Sequence, residues 1–123
     1  MEQEVFTPAD DVAAIVGMVR KGLADPTRPF VLLVRFRVRA GVNARVRALF
    51  ADAKIHTLRD RGCITFDLNE HANDTRHYVV HEKWHSLSDL DAHLRTPHAG
   101  RLRTAYNDLI EGLPEVTVLV PVS

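Results

Sequence analysis

Apolar and polar residues alternate with different periods along the chain, and each change of period predicts a new element of secondary structure. Residues 30 to 38, FVLLVRFRV, place arginines on one parity and apolar side chains on the other, which predicts a β-strand. Helical spacing then runs from Val42 to about Arg61 and ends in a glycine-containing turn. Two short strands, 63 to 68 and 76 to 84, flank a polar turn, so we expect them to form a hairpin.

The rest of the chain returns to helical spacing before a last strand. A helix capped by Ser86 or Ser88 is interrupted at Thr96-Pro97, and a further helix runs from His98 to about Gly112. The segment EVTVLVPV then closes the chain as a strand. The order β-α-β-β-α-β predicts an α+β, ferredoxin-like fold, in which an antiparallel sheet carries its helices on one face.

Residues 1 to 29 are predicted to be an N-terminal helical extension of a domain that covers residues 30 to 123. The Thr-Pro pair at 7 and 8 is a good helix start, and Asp10 and Asp11 follow where the helix dipole favours negative charge. Apolar residues then recur at helical spacing. We expect this extra helix to dock on the domain, where it could cover a pocket or extend a dimer.

Composition narrows the functional classes. The 16 basic and 16 acidic residues balance, so no bulk charge points to nucleic acid or to an anionic membrane surface. No apolar run approaches the length of a membrane span, the N-terminus lacks the pattern of a signal peptide, and a single cysteine, Cys63, allows no intrachain disulfide. These features predict a cytoplasmic protein.

Histidines cluster between residues 77 and 98, which raises the question of a metal site. His77, His81 and His85 share one parity of a strand, and positions four apart on a strand are separated by roughly 13 Å, too far for one ion. His93 and His98 are five apart, which misses the helical pairing at four residues. No metal is therefore expected, although ligands from separate elements stay possible.

The other parity of the same strand carries Tyr78, Val80, Glu82 and Trp84. If this face meets the helices, it combines a large aromatic, a carboxyl group and an apolar floor, which suits a pocket for a flat organic molecule. The structural alternative is that Trp84 is an ordinary core residue and Glu82 a satisfied acid.

Four short motifs resemble those of the antibiotic biosynthesis monooxygenase family, and among its members the quinol monooxygenases in particular. They are Gly62-Cys63, Glu82-x-Trp84, Ala92-His93 and Thr96-Pro97-His98, and the resemblance covers about residues 30 to 122. It implies a ferredoxin-like protomer in a homodimer, a dimeric α+β barrel whose two sheets pack together, with a pocket between sheet and helices. It also implies oxidation of quinol- or anthrone-like aromatics by molecular oxygen, with no metal, flavin or haem cofactor.

The resemblance also implies roles for individual residues. Trp84 would line the pocket and hold the substrate, His93 and His98 would transfer protons, and Glu82 would orient a histidine or the substrate. Parity and spacing add three wall residues, Phe36, Phe66 and Tyr106.

Departures from the family pattern qualify these expectations. Related haem-degrading members carry an asparagine on the first strand, where this chain has Val34, so haem degradation is not expected. Some quinol-type members carry a tyrosine where this chain has Phe66.

Three functional readings follow from the sequence. The first is a cofactor-independent monooxygenase, and the second is a non-catalytic or stress-associated dimer that binds a small molecule. The third is an isomerase or degradative enzyme on a small signalling metabolite, held by arginines such as Arg35, Arg37, Arg101 or Arg103. An enclosed pocket with Trp84 and a histidine pointing inward favours the first, a collapsed or wholly apolar cavity the second, and an arginine in the cavity the third.

Overall fold

A computed structural model describes residues 4–5 and 12–123. The elements along the chain are β1 (Glu4–Val5), α1 (Val12–Lys21), β2 (Phe30–Val38), α2 (Asn43–Thr57), β3 (Cys63–His71), β4 (Asp74–Trp84), α3 (Leu87–Leu94), α4 (Pro97–Asn107) and β5 (Ile110–Leu119). The predicted helix start at residues 7 to 11 lies outside the described residues.

The five strands form one antiparallel sheet in the order β1-β5-β2-β4-β3. Without the short β1, this is the strand order of a ferredoxin-like β-α-β-β-α-β fold, so the predicted fold class is confirmed. The apolar parity of β2 and the parity of β4 that holds Tyr78 are buried against the helices, as their alternation indicates.

The helix α1 docks on the same face of the sheet as the other helices. Its residues Ile15, Val16 and Val19 are buried. Val16 and Val19 belong to a core cluster that also contains Trp84 and Leu90. The helix therefore joins the core of the domain rather than lying apart from it.

The predicted end of the last helix was wrong. α4 ends at Asn107, and the last strand begins at Ile110 rather than near residue 115. Gly112, taken as the end of the helix, lies inside β5 with a φ of 78°. The β2–β5 register shifts here, from Arg35 opposite Glu115 to Arg37 opposite Glu111, so this glycine belongs to an irregularity of the strand rather than to a helix cap.

The hairpin and the second helix also differ from their predicted bounds. β3 extends to His71 and β4 begins at Asp74, so most of the polar residues assigned to a long turn belong to the strands and only residues 72 and 73 form the turn. The helix α2 stops at Thr57, four residues before its predicted end. The turn that follows it contains Asp60 and Gly62, and both matter for the site described below.

Gly62 occupies a position that only glycine fills without strain. Its φ is 82°, and a Cβ at this position would lie 2.2 Å from Asp89 Oδ2. Asp89 belongs to the N-terminal cap of α3, since Ser86 Oγ accepts from the Asp89 backbone N–H and donates to its carboxylate. The missing side chain thus allows the α2–β3 turn to lie against the start of α3.

Gly62→Ala is expected to lower the free energy of unfolding by about 2 to 4 kcal/mol, because left-handed backbone strain and the overlap with Asp89 add together. Gly100→Ala is the matched control, since the nearest atom to its Cβ position lies at 4.0 Å and alanine favours a helix. Urea unfolding of both variants measures the difference. Equal stability of the two variants would show that Gly62 is not required.

Candidate active site

A cavity of about 110 Å³ lies between the sheet and the helices. Its walls are mainly apolar and come from α1, the inner face of the sheet, and the three other helices. The lining residues are Ile15, Met18, Val19, Leu32, Val34, Phe36, Phe50, Phe66, Val80, Glu82, Leu90, His93, Leu94, Ala99, Leu102, Arg103, Tyr106 and Val116. Four of them bring polar groups to an otherwise hydrocarbon wall, which is the usual composition of a small-molecule site.

Glu82 brings a carboxyl group into this apolar wall. Its Oε1 accepts a hydrogen bond of 3.0 Å from the indole Nε1 of Trp84. Burial raises the pKa of Glu82 to about 7, although the bond from Trp84 acts in the opposite direction. The carboxyl group is therefore present in both protonation states near neutral pH, so it can donate or accept a hydrogen bond.

His93 supplies a nitrogen base to the same wall. The residue is buried, and its Nδ1 lies 2.6 Å from Asp60 Oδ2. Burial lowers the pKa of His93, and the bond to Asp60 opposes this effect. In the neutral ring Nδ1–H donates to the carboxylate, which leaves the Nε2 lone pair as the basic atom of a residue that lines the cavity.

Asp60 is the residue of this site that sequence reasoning missed. It lies in the turn after α2, where the Asp60 N–H donates to Thr57 O and the Asp60 carbonyl accepts from Cys63 N–H. An aspartate in a polar turn is usually solvated, so the presence of an aspartate at this position does not indicate a functional site. Its position two residues before the Gly62-Cys63 motif was the only available hint.

His98 binds the same carboxylate oxygen, with Nε2 at 2.7 Å from Asp60 Oδ2. Thr96 fixes the junction between α3 and α4: its hydroxyl donates to His93 O and accepts from Ala99 N–H, and Pro97 occupies the first turn. This break turns the chain so that two histidines five residues apart converge on Asp60. Helical spacing alone could not predict that.

The three side chains Asp60, His93 and His98 are also a group that could hold a metal ion. One ligand atom from each lies within 4.8 Å of the others. By contrast His77 and His81 lie on the outer parity of β4, where His81 Nδ1 contacts the Thr65 hydroxyl. The strand histidines thus stay apart, as their spacing predicted.

Tyr106 and Arg103 complete the polar groups of the cavity. The Tyr106 hydroxyl is buried and has no hydrogen-bond partner among the described residues. Burial, with a contribution from the charge of Glu82, raises the pKa of Tyr106 above its ordinary value, so the hydroxyl remains a donor. Leaving it unpaired costs about 1 to 3 kcal/mol, which a ligand oxygen in the cavity would recover.

The predicted site residues fall into two groups. Phe36, Phe66, Glu82, His93 and Tyr106 all line the cavity. Trp84 and His98 do not belong to the lining.

Trp84 is fully buried, with its ring centroid 4.8 Å from that of His93 and its N–H on Glu82. Trp84 therefore contacts both Glu82 and His93 without lining the cavity. His98 contacts Asp60, which does not line the cavity either.

The ferredoxin-like fold with a cavity between sheet and helices is typical of small-molecule-binding α+β proteins, and comparison with known sequences identifies the family. The chain belongs to the antibiotic biosynthesis monooxygenase family, whose sequence profile matches residues 29–105. This supports the resemblance found in the four short motifs.

Individual relatives show how far the likeness extends. The chain is 33% identical over 95 residues to Rv0793 of Mycobacterium tuberculosis, a candidate monooxygenase, and the match covers 77% of this chain and 93% of the relative. The structure of Rv0793 superposes with a TM-score of 0.71 at 30% identity, covering 77% of this chain and 96% of that one. A candidate antibiotic biosynthesis monooxygenase from Nitrosomonas europaea shares the fold at 19% identity, with a TM-score of 0.75 and coverage of 81% and 96%.

Within residues 4–5 and 12–123, no helix is long and apolar enough to cross a membrane.

Proposed function

We propose that the protein is a cofactor-independent monooxygenase that oxidises a small quinol-like aromatic with molecular oxygen in this cavity. The hydrogen bond between His93 Nδ1 and Asp60 Oδ2 at the wall of an apolar cavity is the observation that carries the proposal. It provides a neutral base whose orientation is fixed and whose protonated form would be stabilised by a carboxylate.

The reaction begins with removal of a proton. His93 Nε2 accepts the proton from one quinol hydroxyl, and the charge of Asp60 stabilises the imidazolium that forms. Tyr106 and protonated Glu82 donate hydrogen bonds to the substrate oxygens, where negative charge develops. Trp84 acts indirectly, since its N–H positions Glu82.

The electron-rich anion then supplies the electrons that a cofactor supplies in other oxygenases. An electron passes from the anion to oxygen, a C–O bond forms at a ring carbon, and the O–O bond breaks. One oxygen atom stays on the ring and the other leaves as water, so a quinol and O₂ give a hydroxyquinone and H₂O. Apolar walls favour this route because they exclude water from the reactive intermediates.

The size of the cavity favours a single-ring substrate. Its volume of about 110 Å³ is smaller than the roughly 150 Å³ apolar cavity that is known to admit benzene. A substituted ring therefore already requires small movements of the wall. Anthrones and naphthoquinols would require larger movements of the wall.

The active form in this proposal is a cytoplasmic homodimer. Leu113, Leu119, Val120 and Val122 are large apolar residues exposed on and after β5. Apolar surface on β5 and the C-terminal tail favours association with a second copy, consistent with the dimeric α+β barrel implied by the family resemblance.

The experiment that tests this function measures oxygen uptake by the metal-stripped protein with single-ring quinols, naphthoquinols and anthrones. Uptake above autoxidation, fastest with the single-ring compounds, is the expected result. A Trp84→Phe variant keeps an aromatic ring at this position but removes the donor to Glu82, so its uptake should fall. Binding of aromatics without any oxygen uptake would favour the non-catalytic dimer instead.

Met18→Ala is expected to shift the preference toward two-ring substrates by about tenfold, because truncation of this side chain enlarges the cavity. Met18 has the most flexible side chain among the residues that α1 contributes to the cavity wall. Met18→Leu conserves volume and should keep the original preference. The ratio of kcat/KM for a naphthoquinol to that for a single-ring quinol checks this prediction. An unchanged ratio in the alanine variant would mean that substrates bind elsewhere.

A second candidate function follows from Arg103, which lines the cavity beside His93. A half-buried guanidinium in an apolar wall favours an anionic ligand, as expected for an isomerase or degradative enzyme on a small signalling metabolite. The other arginines considered for this role lie elsewhere: Arg35 donates to the Thr117 hydroxyl and Arg37 pairs with Asp74. Calorimetry with a small phosphorylated carbonyl compound separates the candidates, since tight binding that is lost in Arg103→Met would favour the anion.

A further inference from the structure

We propose that Asp60, His93 and His98 form a binding site for a single zinc ion or a similar divalent transition-metal ion beside the cavity. Two imidazole nitrogens and a carboxylate are the number and type of protein ligands in zinc sites that keep one position open for water. Imidazole ligands select transition ions over Mg²⁺ and Ca²⁺, which prefer oxygen. This inference does not rest on the proposed oxygenase function.

The distances between the ligand atoms are close to those that zinc needs. Nδ1 of His93 and Nε2 of His98 lie 2.6 and 2.7 Å from Asp60 Oδ2. Ligand atoms around a tetrahedral zinc ion, with bonds of about 2.0 to 2.1 Å, are separated by about 3.3 Å. The two imidazoles must therefore move from the carboxylate oxygen by less than about 1 Å. Their nitrogens, which lie within 4.8 Å of each other, must also come together by up to about 1.5 Å. Side-chain rotations supply movements of this size.

The backbone holds the three ligands before any ion arrives. Hydrogen bonds of the α2–β3 turn fix Asp60, and the Thr96 cap fixes the junction between His93 and His98. Three separate elements thus converge, which lowers the entropy cost of assembling the site. In the metal-free arrangement protons occupy the contacts that the ion would make, so each imidazole must carry its proton on its other ring nitrogen when zinc binds.

The degree of burial suits an ion that exchanges with solvent. The His93 side chain is 4% exposed, whereas those of Asp60 and His98 are 16% and 17% exposed. One side of the cluster is therefore closed by the core and the other can admit a water ligand. The ring of His56 stacks on that of His98 at 5.6 Å between centroids, which limits rotation of the ligand.

Zinc at this position would change the chemistry of the cavity. With the metal on Nδ1, the neutral ring of His93 carries its proton on Nε2, so Nε2 becomes a donor and can no longer accept a proton. A bound ion and a basic His93 therefore exclude each other. The site provides a metal-dependent brake on any reaction that uses His93 as a base.

Calorimetric titration of the metal-stripped full chain with ZnCl₂ tests the proposal. We expect one zinc ion to bind per chain, and we expect Asp60→Asn and His98→Gln each to weaken binding by at least about 100-fold. Even mutation of a residue that only hydrogen-bonds to a metal ligand typically lowers metal affinity by about 10 to 100-fold. His77→Gln is the matched control. It removes a histidine whose ring stacks on that of His71 at 5.4 Å, the other close histidine pair among the described residues outside the cluster.

A spectroscopic measurement on the unmodified protein covers the case in which a variant fails to fold. Two-dimensional ¹⁵N NMR of the histidine rings should show that zinc shifts Nδ1 of His93 and Nε2 of His98 most. Shifts confined to His71 and His77, or no binding by the unmodified chain, would overturn the proposal. Neither readout uses oxygen, so a failed zinc titration leaves the oxygenase proposal standing, and the reverse also holds.

Discussion

His93→Gln is expected to reduce quinol-dependent oxygen uptake by about 10² to 10⁴-fold, because a positioned general base contributes rate enhancement of that size. Glutamine keeps polarity and approximate size at the cavity wall but cannot accept a proton near neutral pH. Single-turnover mixing with a reduced quinol under oxygen measures the effect directly. Binding of the oxidised quinone should stay within a few-fold, since His93 contributes only one of the lining side chains.

Two further variants define the role of this base. His85→Gln alters an exposed histidine outside the cavity lining and should retain full activity. Asp60→Asn keeps a hydrogen-bonding side chain beside Nδ1 but removes the charge, so we expect a loss of about 10 to 10³-fold. Full activity in the His93 variant would assign proton removal to another group and contradict the mechanism.

Glu82→Gln is expected to stabilise the protein at pH 8 by up to about 3 kcal/mol. At this pH Glu82 is ionised, and burial of the ionised carboxylate destabilises the folded chain relative to the unfolded chain. The pKa is about 7 in the folded chain against 4.5 for an ordinary glutamate, and each pKa unit corresponds to about 1.4 kcal/mol. The glutamine oxygen can still accept from Trp84 Nε1, so the contact that positions both residues is kept.

The sign of this effect follows from the protons bound in each state. Below pH 4.5 the carboxyl is protonated in both folded and unfolded chains, and its contribution is constant. Between pH 4.5 and about 7 the folded chain keeps a proton that the unfolded chain has released, so stability falls as pH rises. Above about 7 the loss is complete.

Urea unfolding at pH 4 and pH 8 measures this difference. The two proteins should be equally stable at pH 4, and the variant should be more stable at pH 8. Glu70→Gln, which alters an exposed glutamate paired with Arg47, is the control and should change stability little at either pH. A Glu82 variant that is no more stable at pH 8 would mean that this carboxyl is well solvated in the folded protein.

The sequence predicted the fold because its periodicity reports burial directly. In β2 and β4 one parity meets the helices, so alternation marks both the strands and their inner faces. The ends of helices and strands were predicted less well where a glycine or a polar residue is compatible with two kinds of local structure. Gly112 lies within a strand irregularity although glycine also ends helices, and the polar residues near His71 extend a ladder although they also favour turns.

The site was predictable only in part, for a related reason. Phe36, Glu82 and Tyr106 could be placed on the cavity wall by parity or helical spacing, because each lies on the buried face of its element. Asp60 could not, since its role depends on the α2–β3 turn and the α3–α4 junction meeting in space. No periodicity within one element records a contact of that kind.

The exposure of Trp84 could not be predicted either. Its parity correctly placed it on the inner face, but α1 and α3 bury it completely, so it contacts Glu82 rather than the cavity. A tryptophan that positions a carboxyl group and one that stacks on a substrate have the same sequence pattern. Only the packing of the added N-terminal helix separates them.

The most direct measurement of the central claim follows the atoms of oxygen. The metal-stripped protein is given a single-ring quinol under ¹⁸O₂, and the product is analysed by mass spectrometry. The monooxygenase mechanism predicts a hydroxyquinone with one ¹⁸O atom, the second appearing in water, and incorporation that is lost in His93→Gln. Oxygen uptake that yields hydrogen peroxide and an unlabelled quinone, or no uptake above autoxidation, would contradict it.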